Sequence, residues 1–329
     1  MTTVAEHAWA VRKQNFPAEM EFYAPGLKRW QTAEWIPSRP DRFRAVSVTG
    51  SACALQCDHC GAKVLEGMIS VRSGENLFDV ARSLAERGSE GILVSGGSTR
   101  KGGVPLAAHL RYVPRIKSEL GMKVVVHCGV ADERLAEAIA ASGADAVMLD
   151  VIGADETIRD VYHLALKVED FDRALALLAA QGLRIIPHIV LGLHYGTFLG
   201  EHRALEMVGG YPVSTLILVV LVPLVGTPMS HLPPPPTEDV IEFFETARLA
   251  MPETKINLGC ARPMAGVKRT LDRAAIDLGL NGIAYPAEGA IEYARSKGLR
   301  PKLYEWCCSM SWAGDAGENL VEVKVGEAS

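Results

Sequence analysis

The sequence predicts an α/β fold, a (β/α)8 TIM-type barrel with an extension at each end. Three observations predict it. Eight short apolar runs alternate with helix-spaced segments, and such alternation implies a parallel sheet with right-handed crossovers. The chain has 329 residues, room for a barrel of about 250 residues plus extensions. Cysteines, a glycine pair and a carboxylate fall at or just past the ends of the runs, where barrel active sites assemble. A six-unit open barrel is the close alternative.

Residues 1–42 read as an N-terminal extension, with Phe22, Trp30 and Trp35 as anchors on the barrel and a turn at Tyr23-Ala24-Pro25-Gly26. Pro37 and Pro40 precede the first strand, and the barrel runs over 43–299. Its expected strands are Phe43–Val48, Gly91–Ser95, Lys123–His127, Ala146–Asp150, Arg184–Leu191, Thr215–Val225, Lys255–Leu258 and Gly282–Tyr285. Their Val, Ile and Leu content suits strands buried on both faces. Helical spacing fills the gaps, over Ser73–Arg87, Pro105–Leu120 (kinked at Pro114), Ala131–Ala141, Phe171–Gln181, Glu201–Val208, Glu238–Leu249, Gly266–Leu278 and Ala287–Ser296. Pro233–Pro236 stiffens an extended link, and Thr237 suits the cap of the helix after it. Residues 300–329 form a tail carrying Cys307 and Cys308, expected to fold over the barrel mouth.

A formal charge of −5 argues against a general nucleic-acid binder. The longest apolar run, Thr215–Val225, is about half the ~20 residues of a membrane-spanning helix. With no signal-peptide pattern at Met1–Arg12, a soluble cytoplasmic protein is expected. Seven cysteines without an export signal favour metal binding or catalysis over disulfides.

The sharpest motif is Cys53-x3-Cys57-x2-Cys60, on the loop after the first strand. Three thiolates this close suit a cubane iron–sulfur cluster, one ligand short of the four that close it. The rival is a structural zinc site, but zinc takes two ligand pairs and His59 lies too close to Cys60 to complete a tetrahedron easily. The second βα turn is Ser95-Gly96-Gly97-Ser98, which glycine could occupy for backbone reasons alone. Asp150 ends the fourth strand and is equally a helix-capping residue. Cys128, Cys260, Cys307 and Cys308 remain, each of which could be a buried small hydrophobe. Arg262 is a cluster neighbour or a clamp for a substrate carboxylate. His127, His188 and His194 lie near strand ends; the first two read more readily as structural.

The triplet Cys53, Cys57 and Cys60 resembles the signature of the radical S-adenosylmethionine (SAM) superfamily. The resemblance implies a [4Fe-4S] cluster on those cysteines, with SAM on the open iron. It implies that His59, in the usual aromatic position, supports the adenine. Gly96 and Gly97 would receive the methionine amino group, although Ser98 stands where an acidic residue is usual. Asp150 would take the ribose hydroxyls, and the segment Ile189–Gly192 would contact the adenine.

From Cys53 almost to Pro286 the chain is similar to the biotin synthase group, through Val222–Met229, Leu258-Gly-Cys-Ala-Arg262 and Asn281-Gly-Ile283. Four strings, Glu21–Trp30, Thr49–Met68, Leu258–Pro263 and Cys307–Met310, resemble the two-component lipoyl synthases of archaea and some bacteria. That implies sulfur insertion into the octanoyl chain of a carrier protein, together with a homologous sister subunit. A second iron–sulfur cluster would donate the sulfur, on Cys260, Cys307 and Cys308, with Cys128 as a further candidate. The implied partners are an octanoylated H protein or lipoyl domain and an electron donor such as ferredoxin or flavodoxin. The alternatives are a biotin synthase-like enzyme acting on a free small molecule and, more remotely, a non-catalytic zinc protein.

Overall fold

The structure, a computed structural model, describes residues 3–39, 41–72 and 74–315. Pro40, Ser73 and the tail beyond Asp315 lie outside the described residues. Eleven strands run parallel: β1 (Glu19–Tyr23), β2 (Phe43–Ser47), β3 (Ile69–Ser70), β4 (Gly91–Ser95), β5 (Lys123–His127), β6 (Ala146–Asp150), β7 (Ile185–Leu191), β8 (Thr215–Val220), β9 (Lys255–Leu258), β10 (Gly282–Ala284) and β11 (Arg300–Tyr304). The sheet order is β11-β1-β10-β9-β8-β7-β6-β5-β4-β2-β3. It is a curled parallel half-barrel of the TIM type.

All eight expected strands are present, and β1, β3 and β11 add to them. The barrel is not closed by a ladder between β2 and β10. At one edge β1 and β11 follow β10, and at the other β3 follows β2. Side chains bridge the gap instead. The rings of Phe43 and Trp306 lie 5.6 Å apart, and the Arg42 guanidinium lies 5.9 Å from the Trp306 ring centroid. Residues 1–42 therefore do more than pack on the barrel, because Glu19–Tyr23 is laddered inside the sheet. Trp35 is buried beside Trp30, as expected of an anchor.

β4 is buried along its whole length, as the apolar run required. The helix Leu77–Glu86 starts later than expected, because the Asn76 carboxamide caps the Phe78 and Asp79 N–H groups. Pro114 kinks nothing. It sits in the first turn of a second helix, Val113–Leu120, after the short helix Ala107–Leu110, where its missing N–H costs little. β8 stops at Val220, short of Pro223, since proline cannot donate to a ladder. Pro236 rather than Thr237 takes the cap position of the helix Thr237–Ala250.

The described part of the tail, up to Asp315, turns inward after β11 and lines the inside of the sheet instead of lying over the mouth; the expectation for the residues beyond it lies outside the described residues. Asn257 Nδ2 donates to the Cys308 carbonyl (3.1 Å), Lys255 Nζ to the Ser311 carbonyl (2.9 Å), and the Arg184 guanidinium stacks on Trp312 at 3.7 Å. Lys255 begins β9, and Arg184 immediately precedes β7, so the segment runs from the mouth toward the opposite end. Cys307 through Ala313 are buried. Among the described residues no helix is long and apolar enough to cross a membrane.

Candidate active site

The cysteine loop is built against the Gly96-Gly97 turn. Gly97 N donates to Thr49 Oγ1 (2.7 Å), and Ala54 N donates to the Ser98 carbonyl (2.9 Å), which lies 3.9 Å from Cys53 Sγ. A Cβ on Gly97 would run into the Ala52 carbonyl oxygen and lie 2.6 Å from Cys53 Cα. Gly97 is thus demanded by close approach, not by an unusual φ. Cys57 and Cys60 are buried and Cys53 is partly open. The hydrogen bond from Cys57 draws the Cys60 thiol down to about 4, with His59 helping, and the same bond and burial drive Cys57 up.

Asp58, between the second cysteine and His59, anchors the loop. Tyr195 Oη donates to Asp58 Oδ2 (2.8 Å), and His163 Nε2 lies 2.8 Å from Oδ1. Burial and the Asp58 carboxylate push the Tyr195 phenol up to about 12, so it remains a donor. The His59 ring lies against Tyr162, with centroids 5.1 Å apart and the planes tilted by 37°. His59 Nδ1 and the Tyr162 hydroxyl are buried polar atoms without a partner.

Across the mouth, Asp150 ends β6 and registers with His188 on β7. His127 Nε2 stands 3.7 Å from Asp150 Oδ1, and the two histidine rings are 6.1 Å apart. Burial would raise the Asp150 carboxyl, but the nearby His127, with His188 and His59, holds it at about 2. Burial pushes His188 down to about 4, against the pull of Asp150. His188 is therefore neutral near pH 7 and Asp150 ionised. Ile189 lies on the opposite face of β7 from His188 and is buried, so its side chain belongs to the core. His194 bonds Thr157 (3.2 Å) rather than this group.

A second sulfur group lies just inside the mouth. Asn257 of β9 holds the Cys308 carbonyl (3.1 Å), and the neighbouring Cys260 and Cys307 thiols, with burial, raise the Cys308 thiol. The neighbouring Cys308 draws Cys307 down to about 7, with Ser309 assisting. Cys128 does not join them. It follows His127 with its side chain turned the other way, and its thiol donates to the carbonyls of Gly129 (3.2 Å) and Met148 (3.5 Å). Arg262 is not a free clamp either. Its guanidinium grips buried Asp272 in a fork (2.6 and 3.1 Å) and donates to the Gly259 and Tyr285 carbonyls.

Comparison with known proteins agrees with this geometry. Residues 47–200, which span the cysteine loop, the Gly96-Gly97 turn, Asp150 and β7, match the Radical SAM superfamily. That stretch of the chain is similar to a radical SAM domain. It is 28% identical over 258 residues to a biotin synthase of Synechococcus sp. (strain JA-3-3Ab), covering 73% of this chain and 81% of that one. It is 21% identical over 252 residues to a biotin synthase of Hyphomonas neptunium, covering 70% and 73%. In fold it resembles methylornithine synthase (TM-score 0.62, 13% identity, 96% of this chain and 91% of that one). It also resembles the FeFe-hydrogenase maturase HydG of Carboxydothermus hydrogenoformans (TM-score 0.59, 16% identity, 92% and 72%).

A radical SAM domain implies a [4Fe-4S] cluster and SAM, and the residues present fit both. Cys53, Cys57 and Cys60 share one loop, a donor set for a cubane with one iron left open. Among the described residues no three His, Cys, Asp or Glu side chains gather around a single ion-sized point; a cubane needs no such point, because each cysteine binds a different iron. The unpartnered His59 Nδ1 and Tyr162 hydroxyl are donors or acceptors waiting at the same mouth.

Sequence reasoning missed Asp58, Tyr162, Tyr195 and Glu201. The Glu201 carboxylate is buried and accepts N–H bonds from Gly192 (2.9 Å), Leu193 (3.4 Å), Leu199 (2.8 Å) and Gly200 (3.0 Å), which fixes the loop after β7. The signals for Tyr195 and His163 exist only as positive φ on non-glycine residues (52° and 56°), invisible in one sequence.

Proposed function

We propose that this radical SAM domain serves a sulfurtransferase, which inserts sulfur into an octanoyl chain borne on a protein lysine and acts with a homologous sister subunit. One observation carries the reading: Cys260, Cys307 and Cys308 meet just inside the mouth that the Cys53-Cys57-Cys60 loop rims. Two sulfur donor sets at the same end of one sheet suit a reaction that both makes a carbon radical and supplies sulfur to it. When bound, the first cluster and SAM supply a 5′-deoxyadenosyl radical for hydrogen abstraction.

This chain's residues would divide the remaining work. Cys53, Cys57 and Cys60 hold the first cluster, and Gly97 keeps the loop in place. Asp150, ionised and flanked by His127 and His188, accepts hydrogen bonds from ribose hydroxyls. The Tyr162–His59 pair supports the adenine. Cys260, Cys307 and Cys308 hold the second cluster, and the buried segment Cys307–Ala313 keeps water from it. An octanoylated H protein or lipoyl domain would present the acyl chain at the mouth, and ferredoxin or flavodoxin would deliver the electron.

A second reading is favoured by the names of the relatives, which are biotin synthases: the same chemistry on a free small molecule. Anaerobic incubation with octanoyl-lysyl peptide, SAM, dithionite and the sister chain, followed by mass spectrometry, separates the two. The lipoyl reading expects thiolated peptide that disappears in Cys308→Ala. Absence of any thiolated peptide from the wild type, or product without the sister chain, sinks it.

A further inference from the structure

Asp58 sits inside the cysteine motif but is neither a thiol nor open to solvent, its side chain being 18% exposed. Four contacts converge on this residue from three loops. Tyr195, after β7, donates its hydroxyl to Oδ2 at 2.8 Å. His163, after β6, places Nε2 2.8 Å from Oδ1. The Asp58 N–H donates to the Val161 carbonyl (3.0 Å), and its own carbonyl accepts from Met229 N (3.4 Å), after β8. Tyr195 Oη also lies 3.0 Å from the Asp160 carbonyl. The two side chains that grip the carboxylate come from residues with left-handed backbone, His163 (φ 56°) and Tyr195 (φ 52°). Bulky non-glycine residues adopt that region at a cost and keep it where surrounding contacts over-determine it.

We propose that Asp58, Tyr195 and His163 form a latch that holds the cysteine loop in register with the loops after β6 and β7, and so sets how SAM meets the cluster. They are positioning residues. The Tyr195 and His163 grips act through Asp58 on its neighbours Cys57 and His59, and the His59 ring in turn packs against Tyr162, one residue from His163. The latch joins the loop that carries the cluster to the two strand ends, at Asp150 and Leu191, between which the nucleoside would lie. Freeing it leaves the three thiols in the chain but lets their loop move relative to Asp150. The inference rests on the radical SAM reading of the Cys53-Cys57-Cys60 loop.

The test uses Tyr195→Phe, which removes one oxygen and keeps the ring against His194, with Asp58→Ala as the stronger variant and Asp58→Asn as the conservative one. Wild-type and variant proteins are reconstituted anaerobically. Iron release to a chelator is followed, and the electron paramagnetic resonance spectrum of the dithionite-reduced protein is titrated with SAM. Losing one hydrogen bond to a charged, largely buried acceptor predicts about a tenfold rise in the SAM concentration that shifts the spectrum for Tyr195→Phe. Iron release should be several-fold faster, on the same grounds. Asp58→Asn, which keeps an acceptor for Tyr195, should recover most of the SAM response that Asp58→Ala loses. A purely structural role would lower the melting temperature without moving the SAM midpoint. A SAM midpoint within twofold of wild type in both Tyr195→Phe and Asp58→Ala overturns the latch, as does Asp58→Asn behaving like Asp58→Ala. Failure of the wild type itself to bind iron would instead refute the cluster reading.

Discussion

Gly97→Ala is expected to abolish iron loading at Cys53, Cys57 and Cys60 while the sheet stays folded. The added methyl would meet the Ala52 carbonyl oxygen and lie 2.6 and 2.7 Å from Cys53 Cα and Cβ. None of these is the free end of a flexible side chain, so the loop backbone must shift. Overpacking of this kind costs about 1–3 kcal/mol, less than a domain's stability, but the displacement falls on a cluster ligand. Iron and acid-labile sulfide after anaerobic reconstitution should drop by about four of each per chain, the content of one cubane. Gly143→Ala is the control. Its φ is +68° and nothing lies within 4 Å of the new methyl, so it should cost about 1 kcal/mol in backbone strain and no iron. Full loading of Gly97→Ala would show that the glycine turn does not support the cluster loop.

Asp272→Ala is expected to cost the most stability of any single change near the site. The Asp272 side chain is wholly buried and receives Arg262 in a two-bond fork, Lys268 Nζ at 3.2 Å and Ala287 N at 2.6 Å. Burial, with Arg262 nearby, already pushes Lys268 down to about 7. Removing the carboxylate lowers Lys268 further, so that its amine gives up its proton and is left buried, and strands Arg262 as a buried cation without its counter-charge, a loss of about 3–5 kcal/mol. The melting temperature should fall by roughly 5–10 °C. Asp272→Ala combined with Lys268→Met removes the buried amine that the single variant leaves without its partner and should recover part of that fall. Because Arg262 also ties the Gly259 and Tyr285 carbonyls beside Cys260, the single variant should hold less second-cluster iron. A melting temperature within 1 °C of wild type would contradict this account.

The eight core strands were legible because each is a short, mostly buried run between helix-spaced segments, with β4 and β8 the most apolar. The three additional strands were not. β1 alternates charged and apolar residues, β3 spans two residues, and β11 contains Pro301, so none shows the apolar run that identified the others. The first cysteine triplet was legible because its spacing is local. The second was legible only as a set of leftovers: alternation along β5 puts Cys128 on the wrong face, and only the inward turn of the tail brings Cys307 and Cys308 to Cys260. The Asp58 contacts span 105 and 137 residues of sequence, beyond any periodicity or spacing argument. Of the two readings of Arg262, the carboxylate clamp is disfavoured because its guanidinium is taken by Asp272 on the following helix, a pairing that nothing local in the sequence marks as buried, whereas its place beside Cys260 suits a cluster neighbour.

The measurement that tests the central claim most directly is the iron and sulfide content of anaerobically reconstituted protein, wild type against Cys53→Ala/Cys57→Ala/Cys60→Ala. The account predicts that the triple variant loses about four irons and four sulfides and keeps the rest. That remainder should vanish when Cys260, Cys307 and Cys308 are also replaced. Zinc in place of iron in the wild type, or a triple variant with no residual iron, would contradict it.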